Sequence, residues 1–171
     1  MRVGLQAALF AVLIGVAVVY FALPARAQGT TPAQDNCRVW AAEMLEDEGG
    51  PVLTAHACSD DPSQTWLAMR CYDGTIWIDH DLALGGEREP GLAERTEVEF
   101  VTDGGIETVP MMIQEMTGYF SGEVPAEGKL MELLKSQASL LIRDTTAAYP
   151  ARTYSLKGSS AALSKLVSAC G

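Results

Sequence analysis

The chain has 171 residues, with 12 Lys and Arg against 22 Asp and Glu, and a formal charge of −10 at pH 7. This length suits one ordinary domain and is short for two well-cored ones. A hydrophobic content of 48% with 20% charged residues indicates a globular chain. The acidic balance argues against nucleic acid and anionic membrane surfaces as main partners.

The first predicted element is a secretory signal at residues 1–27. Arg2 gives a positive start, an apolar run follows over residues 3–23, and residues 25–27 read Ala-Arg-Ala, which is typical of a cleavage site. A retained membrane anchor is the alternative, because the run approaches the roughly 20 residues that span a bilayer.

Cleavage after Ala27 would leave 144 residues with a formal charge of −12. We then expect a flexible leader at 28–36 and a single β-rich domain at 37–171. The expected location is the periplasm or the exterior after Sec-type export, with no membrane attachment after cleavage.

The domain contains four cysteines: Cys37, Cys58, Cys71 and Cys170. An even number in an exported chain predicts two disulfides, and four cysteines allow three pairings. Cys37 and Cys58 are near in sequence, whereas a Cys71–Cys170 bond would clip a terminal helix to a strand. We prefer these two bonds. The spacings resemble neither a zinc ribbon nor a Cys-x-x-Cys redox pair.

Two hairpins are predicted next. Gly49-Gly50 separates two strand-like stretches, and Asp73-Gly74 predicts a type I′ turn within residues 65–81. This turn pairs Arg70 with Trp77. One face of the second hairpin is then apolar and faces the core: Leu67, Met69, Cys71, Ile76 and Ile78.

The opposite face of that hairpin is the predicted partner surface, with Trp66, Arg70 and Trp77. Half-exposed Trp beside Arg is typical of interface anchors. Arg70 is placed to lie over Trp77 and to reach Asp79. Ordinary packing of the tryptophans is the alternative.

The second half of the domain continues with strands and adds two helices. Residues 96–102 alternate, with Glu97 and Glu99 pointing outward. Pro110 is expected to confine its strand to a sheet edge or to end it. Apolar stripes predict helices at 125–137 and 160–170, the second capped by Ser159, with two short strands between them.

Together these elements predict a mainly β fold with α. We expect an antiparallel β-sandwich or open barrel of about eight strands, with one or two packed helices and a disulfide-clipped C-terminal helix.

A cation site is one possible chemistry for the histidines and aspartates. Asp79-His80-Asp81 could combine with His56, Asp60 and Asp61. In a strand, however, His80 points away from its two neighbours, so the three side chains do not converge. We expect a packed, hydrogen-bonded His80 and no metal or cofactor.

Catalytic residues are equally sparse. Gly158-Ser159-Ser160 precedes a helix and lacks the motif of a serine nucleophile, and paired cysteines leave no thiolate. The acidic residues Glu87, Glu89, Glu97 and Glu99 are interpreted as solvated surface. A hydrolase using two carboxylates on a cell-wall or glycan substrate remains the alternative to a non-enzyme.

Several short motifs carry a family resemblance: Trp40-Ala-Ala-Glu43, Leu67-Ala-Met-Arg70-Cys71, Tyr154-Ser-Leu156-Lys-Gly158 and Ala169-Cys170. Over residues 38–171 the chain resembles the VasI/TagO-like periplasmic proteins associated with type VI secretion. Its tail is also similar to the invasion-associated locus B family of exported bacterial proteins.

The resemblance implies a secreted, β-rich accessory protein without catalysis, and it also favours the Cys71–Cys170 bond. We therefore expect a non-enzymatic periplasmic accessory or binding protein linked to secretion or host invasion. Its expected partner is an envelope or secretion-system protein.

Overall fold

The computed structural model describes residues 37–47, 49–60, 65–81, 94–114 and 117–171. The predicted signal at 1–27 and leader at 28–36 lie outside these ranges. The described chain forms nine strands and two helices: β1 Ala41–Asp47, β2 Gly50–Cys58, β3 Trp66–Tyr72, β4 Thr75–Asp81, β5 Arg95–Thr102, β6 Gly105–Gln114, β7 Tyr119–Val124, α1 Lys129–Ser136, β8 Ser139–Asp144, β9 Arg152–Ser155 and α2 Ser159–Cys170.

All nine strands belong to one antiparallel sheet in the order β1-β2-β3-β4-β7-β6-β5-β8-β9. The sheet curls so far that β2 and β9 approach each other: the backbone N–H of Asp60, just after β2, donates to the Thr153 carbonyl oxygen in β9 at 2.7 Å. No ladder joins the edge strands β1 and β9 within the described ranges, so the sheet stays open. The mainly β, antiparallel prediction is confirmed in its open form.

The β3–β4 hairpin has the predicted turn and register. Asp73 and Gly74 have φ values of 49° and 78°, as a type I′ turn requires. Arg70 pairs with Trp77. The apolar face enters the core, where Leu67, Met69, Ile76 and Ile78 are fully buried. A slip of one residue would carry Arg70 into this core, which explains why the pattern determines the register.

Two disulfides hold the fold, and both join the preferred partners. Cys71 of β3 is bonded to Cys170 of α2, with 5.5 Å between their Cα atoms. Cys37 is bonded to Cys58, with a Cα separation of 5.2 Å. The α2 bond confirms the clipped terminal helix. Each bond contributes about 2–4 kcal/mol to the free energy of unfolding.

The start of α2 differs from the prediction. Gly158, not Ser159, is the N-cap, with a left-handed φ of 86°. A Cβ at Gly158 would lie 2.8 Å from the Trp40 carbonyl oxygen, so both the φ value and the close approach require glycine. The buried Ser159 hydroxyl instead faces the carbonyl oxygens of Leu134 in α1, at 2.5 Å, and Leu156, at 2.7 Å. It therefore links the two helices.

The prediction that Pro110 lies at a sheet edge or ends its strand is wrong. Pro110 is inside β6, which lies between β5 and β7. The β6–β7 ladder covers only three residue pairs, beginning at Met112 and Ser121, so Pro110 lies beyond its end. The missing N–H therefore leaves no ladder position unsatisfied. Next to it, a Cβ on Gly122 of β7 would lie 2.9 Å from the Pro110 carbonyl oxygen.

Candidate binding groove

The outer face of the sheet, opposite the core, brings together residues from five strands. Arg70 of β3 pairs with Trp77 of β4, and Trp77 pairs with Glu123 of β7. On the other side of the short β6–β7 ladder, Glu97 of β5 pairs with Pro110 of β6. Because side chains alternate along each strand, these residues share one face.

A groove of about 700 Å³ lies on this face. Its size is within the range of ligand sites in proteins. Trp77, Pro110 and Met112 provide apolar surface, and Met112 is 37% exposed. The polar lining comes from Arg95, Glu97, Ser121, Glu123, Thr145 and Thr146.

Three charged groups of the groove have no partner in the described part of the chain. Within the described part of the chain, the side chains of Arg95, Glu97 and Glu123 make neither an ion pair nor a hydrogen bond. By contrast, the neighbouring Glu99 accepts from Nε of Arg143 at 2.6 Å. The groove therefore presents free charges of both signs around an apolar floor.

Arg70 is held beside the groove rather than in it. Its Nη1 lies 3.3 Å from Oδ2 of Asp47, and its Nε lies 3.7 Å from Oδ2 of Asp79. The Tyr72 hydroxyl donates to the same Asp47 oxygen at 2.6 Å. Burial alone would lower the pKa of Arg70, but Tyr72, Asp79 and Asp47 outweigh it and raise that pKa. The predicted contact with Asp79 is present, and Arg70 is a fixed cation bordering Trp77.

Trp66, the third residue of the predicted partner surface, belongs to a different cluster. Its ring stacks on His56 with centroids 4.6 Å apart, and His56 Nε2 lies 2.9 Å from Oε1 of Glu43. Trp66 does not line the groove, and three residues of β3 separate it from Arg70. The structure thus brings Arg70 and Trp77 together and places Trp66 apart.

The Asp79-His80-Asp81 cluster is divided between the two faces of β4, as strand geometry predicts. Asp79 accepts a hydrogen bond from Ser121 on the outer face. His80 is fully buried, with its ring edge against Tyr154. Asp61 lies outside the described residues, and within them no group of three possible ligands is placed to hold a metal ion.

The expectation of a hydrogen-bonded His80 is wrong at one nitrogen. Nε2 of His80 is buried and has no hydrogen-bond partner among the described residues. Burial, and secondarily the charge of Arg152, lowers the pKa of His80 to about 3. The ring is therefore neutral at physiological pH and packs as part of the core.

Two further groups that could act as an acid or a nucleophile, Asp144 and Ser159, have structural partners. Asp144, the last residue of β8, accepts hydrogen bonds from the hydroxyls of Thr96 and Thr146 and from the N–H of Ala148. Burial would raise the pKa of Asp144, but these hydrogen bonds outweigh it and lower that pKa. A general acid needs the opposite shift. The buried Ser159 links two helices and is not presented as a nucleophile. Glu87 and Glu89 lie outside the described ranges.

Comparison with known proteins relates the chain to one solved fold. No family model matches it, and no curated protein matches it. Among solved structures, it is similar to the invasion associated protein b of Bartonella henselae, with 15% sequence identity and a TM-score of 0.52. The similarity covers 77% of this chain and 93% of that one. At this identity the likeness establishes a shared fold.

Two further observations bear on location. The two disulfides are consistent with an exported chain, since such bonds persist in oxidising compartments. In the described ranges, neither helix is long and apolar enough to cross a membrane.

Proposed function

We propose that the protein is a non-enzymatic accessory protein of the bacterial periplasm that binds a partner envelope or secretion-system protein through the groove. The main observation behind this proposal is the groove itself, where the half-buried Trp77 lies beside free charged groups. Tryptophan bordered by polar groups is the usual composition of a binding hot spot.

Three observations support this proposal. The disulfides and the predicted signal at 1–27 fit export to the periplasm. Asp144, which has a lowered pKa, and Ser159, which is buried, have structural roles. The similar solved structure is named an invasion associated protein, which fits a protein of the envelope or exterior.

The test is capture of partners from periplasmic extract by the purified disulfide-bonded chain. We expect the wild-type chain to retain an envelope or secretion component and Trp77→Ala to lose it. Trp66→Ala is the matched control, because Trp66 is on the same sheet but outside the groove. Capture of no such component, or equal capture by Trp77→Ala, would contradict the proposal.

A further inference from the structure

We propose that the occupant of the groove is an extended peptide segment of the partner in which basic side chains flank an apolar one. This inference rests on the proposed function and specifies the partner's chemistry. It follows from the free carboxylates, the apolar floor between them and the charge of the whole chain.

The free carboxylates lie on two sides of the groove. Glu97 projects from β5 and Glu123 from β7, with β6 between them. Two strand spacings separate their backbones by about 10 Å. This distance suits two basic residues on the same side of an extended segment, because Lys and Arg have long flexible stems. Neither glutamate forms an ion pair with a cation of the described residues.

The floor between the glutamates is apolar, because Pro110 of β6, the cross-strand neighbour of Glu97, lies between them. Trp77 of β4 is the cross-strand neighbour of Glu123 on the side away from Glu97. Met112 lies one position further along the outer face of β6. An apolar side chain can rest on this floor, and the tryptophan ring can contact a cation held by Glu123.

Charge complementarity selects a basic segment over an acidic one. The chain carries −10 overall, and the groove adds two free carboxylates to one free guanidinium, that of Arg95. The long-range field therefore attracts a positive segment and repels a negative one. The guanidinium of Arg95 can bind one backbone carbonyl or one acidic group of the same segment.

The experiment uses a blocked synthetic peptide containing Lys-Ser-Leu-Ser-Lys, which presents both lysines and the leucine on one side when extended. Binding is followed by the NMR signal of the Trp77 indole N–H, assigned with Trp77→Phe. Three comparison probes are the Glu-Ser-Leu-Ser-Glu peptide, the Lys-Ser-Ser-Ser-Lys peptide and the free diamine 1,5-diaminopentane.

The variant is Glu97→Gln/Glu123→Gln, which removes both charges and keeps the side-chain shape. Its matched control is Glu46→Gln/Glu127→Gln, which makes the same charge change at exposed residues outside the groove. We expect the groove variant to bind the lysine peptide about five- to tenfold more weakly, and the control within about twofold of wild type. Raising the salt concentration should weaken wild-type binding.

Four results would overturn the inference. They are equal binding of the glutamate peptide, unchanged binding by the groove variant, equal affinity for the free diamine, and no binding of the lysine peptide at millimolar concentration. Loss of the leucine contact should weaken binding. Equal affinity for the Lys-Ser-Ser-Ser-Lys peptide would therefore contradict the claim that the bound segment carries an apolar side chain. If Trp77-dependent capture persists in these cases, the proposed function stands and only the partner chemistry is wrong.

Discussion

Acid should destabilise this protein through His80 well before most carboxylates titrate. The imidazole is fully buried in the core, and its pKa is lowered from 6.5 to about 3 by burial and then by Arg152. In the unfolded chain the same ring has an ordinary pKa and takes up a proton below 6.5. Between these two values the unfolded state binds one more proton, so stability falls as the pH falls.

The size of the effect follows from the pKa difference. Each pH unit below 6.5 costs about 1.4 kcal/mol of unfolding free energy, so pH 4.5 should cost about 3 kcal/mol. The loss is about 4 kcal/mol at pH 3 and levels off near about 5 kcal/mol below it. Asp144 also loses its contribution in acid, but only as the pH falls below the ordinary value of 3.8. The comparison of wild type with a His80 variant at pH 4.5 therefore separates the effect of His80 from that of Asp144.

The assay is urea unfolding of the oxidised protein at pH 7.5 and 4.5, for wild type and for His80→Leu, which has a similar volume. At pH 7.5 the two should differ by less than about 1.5 kcal/mol, because the substitution also removes an unpaired buried nitrogen. Wild type should lose about 3 kcal/mol more than the variant on acidification. His80→Gln, polar but not titratable, should match the leucine variant in this pH difference. Equal acid losses in all three proteins would refute the reasoning.

Three further predictions concern the scaffold. Gly158→Ala should lower the unfolding free energy by at least about 1–2 kcal/mol because of its left-handed φ, whereas Gly49→Ala, which meets no neighbouring atoms, should change it little in thermal melts. Replacing Cys71 and Cys170 by alanine should lower the free energy of unfolding, measured in urea, by about 2–5 kcal/mol. This is roughly 1 kcal/mol more than the loss expected on removing Cys37–Cys58, which closes a shorter loop. A larger loss for Cys37–Cys58 would contradict the dependence on loop length. Asp144→Asn should cost about 1–3 kcal/mol at pH 7, since its donors lose an anionic acceptor, and the difference should fade below pH 3.8; a pH-independent cost would show that the charge is irrelevant.

Local features of the fold were predictable because short segments encode them. Asp73-Gly74 tolerates the positive φ values of its turn, and the alternation around it allows one register only. The terminal disulfide followed the same logic, since Cys71 shares the core face onto which α2 packs. The turn and the register needed no knowledge of distant pairings, whereas the Cys71–Cys170 bond joins residues 99 positions apart and was also favoured by the family resemblance.

The groove was not predictable from the sequence, because it depends on pairings between strands that are distant in the chain. Trp77 and Glu123 become neighbours only because β4 pairs with β7, and β5 and β6 intervene in the chain. No turn or alternation within either segment encodes that pairing. Pro110 correctly indicated that one backbone hydrogen bond is missing. The sequence did not reveal that the β6–β7 ladder ends before this residue. Ser159 was misassigned because a serine before a helix resembles a cap whether or not a glycine precedes it.

The short β6–β7 ladder divides the sheet into two groups of strands, or plates, that meet along a narrow seam. One plate contains β1 to β4 with β7, and the other contains β5, β6, β8 and β9. On the core side the seam is braced, because α1 contacts β6, α2 contacts the first plate, and Ser159 ties the two helices. Flexing the plates would widen the outer groove only by working against this brace. Widening the groove would therefore strain both the Ser159 contact between the helices and the Asp60–Thr153 hydrogen bond, which joins the plates at β2 and β9.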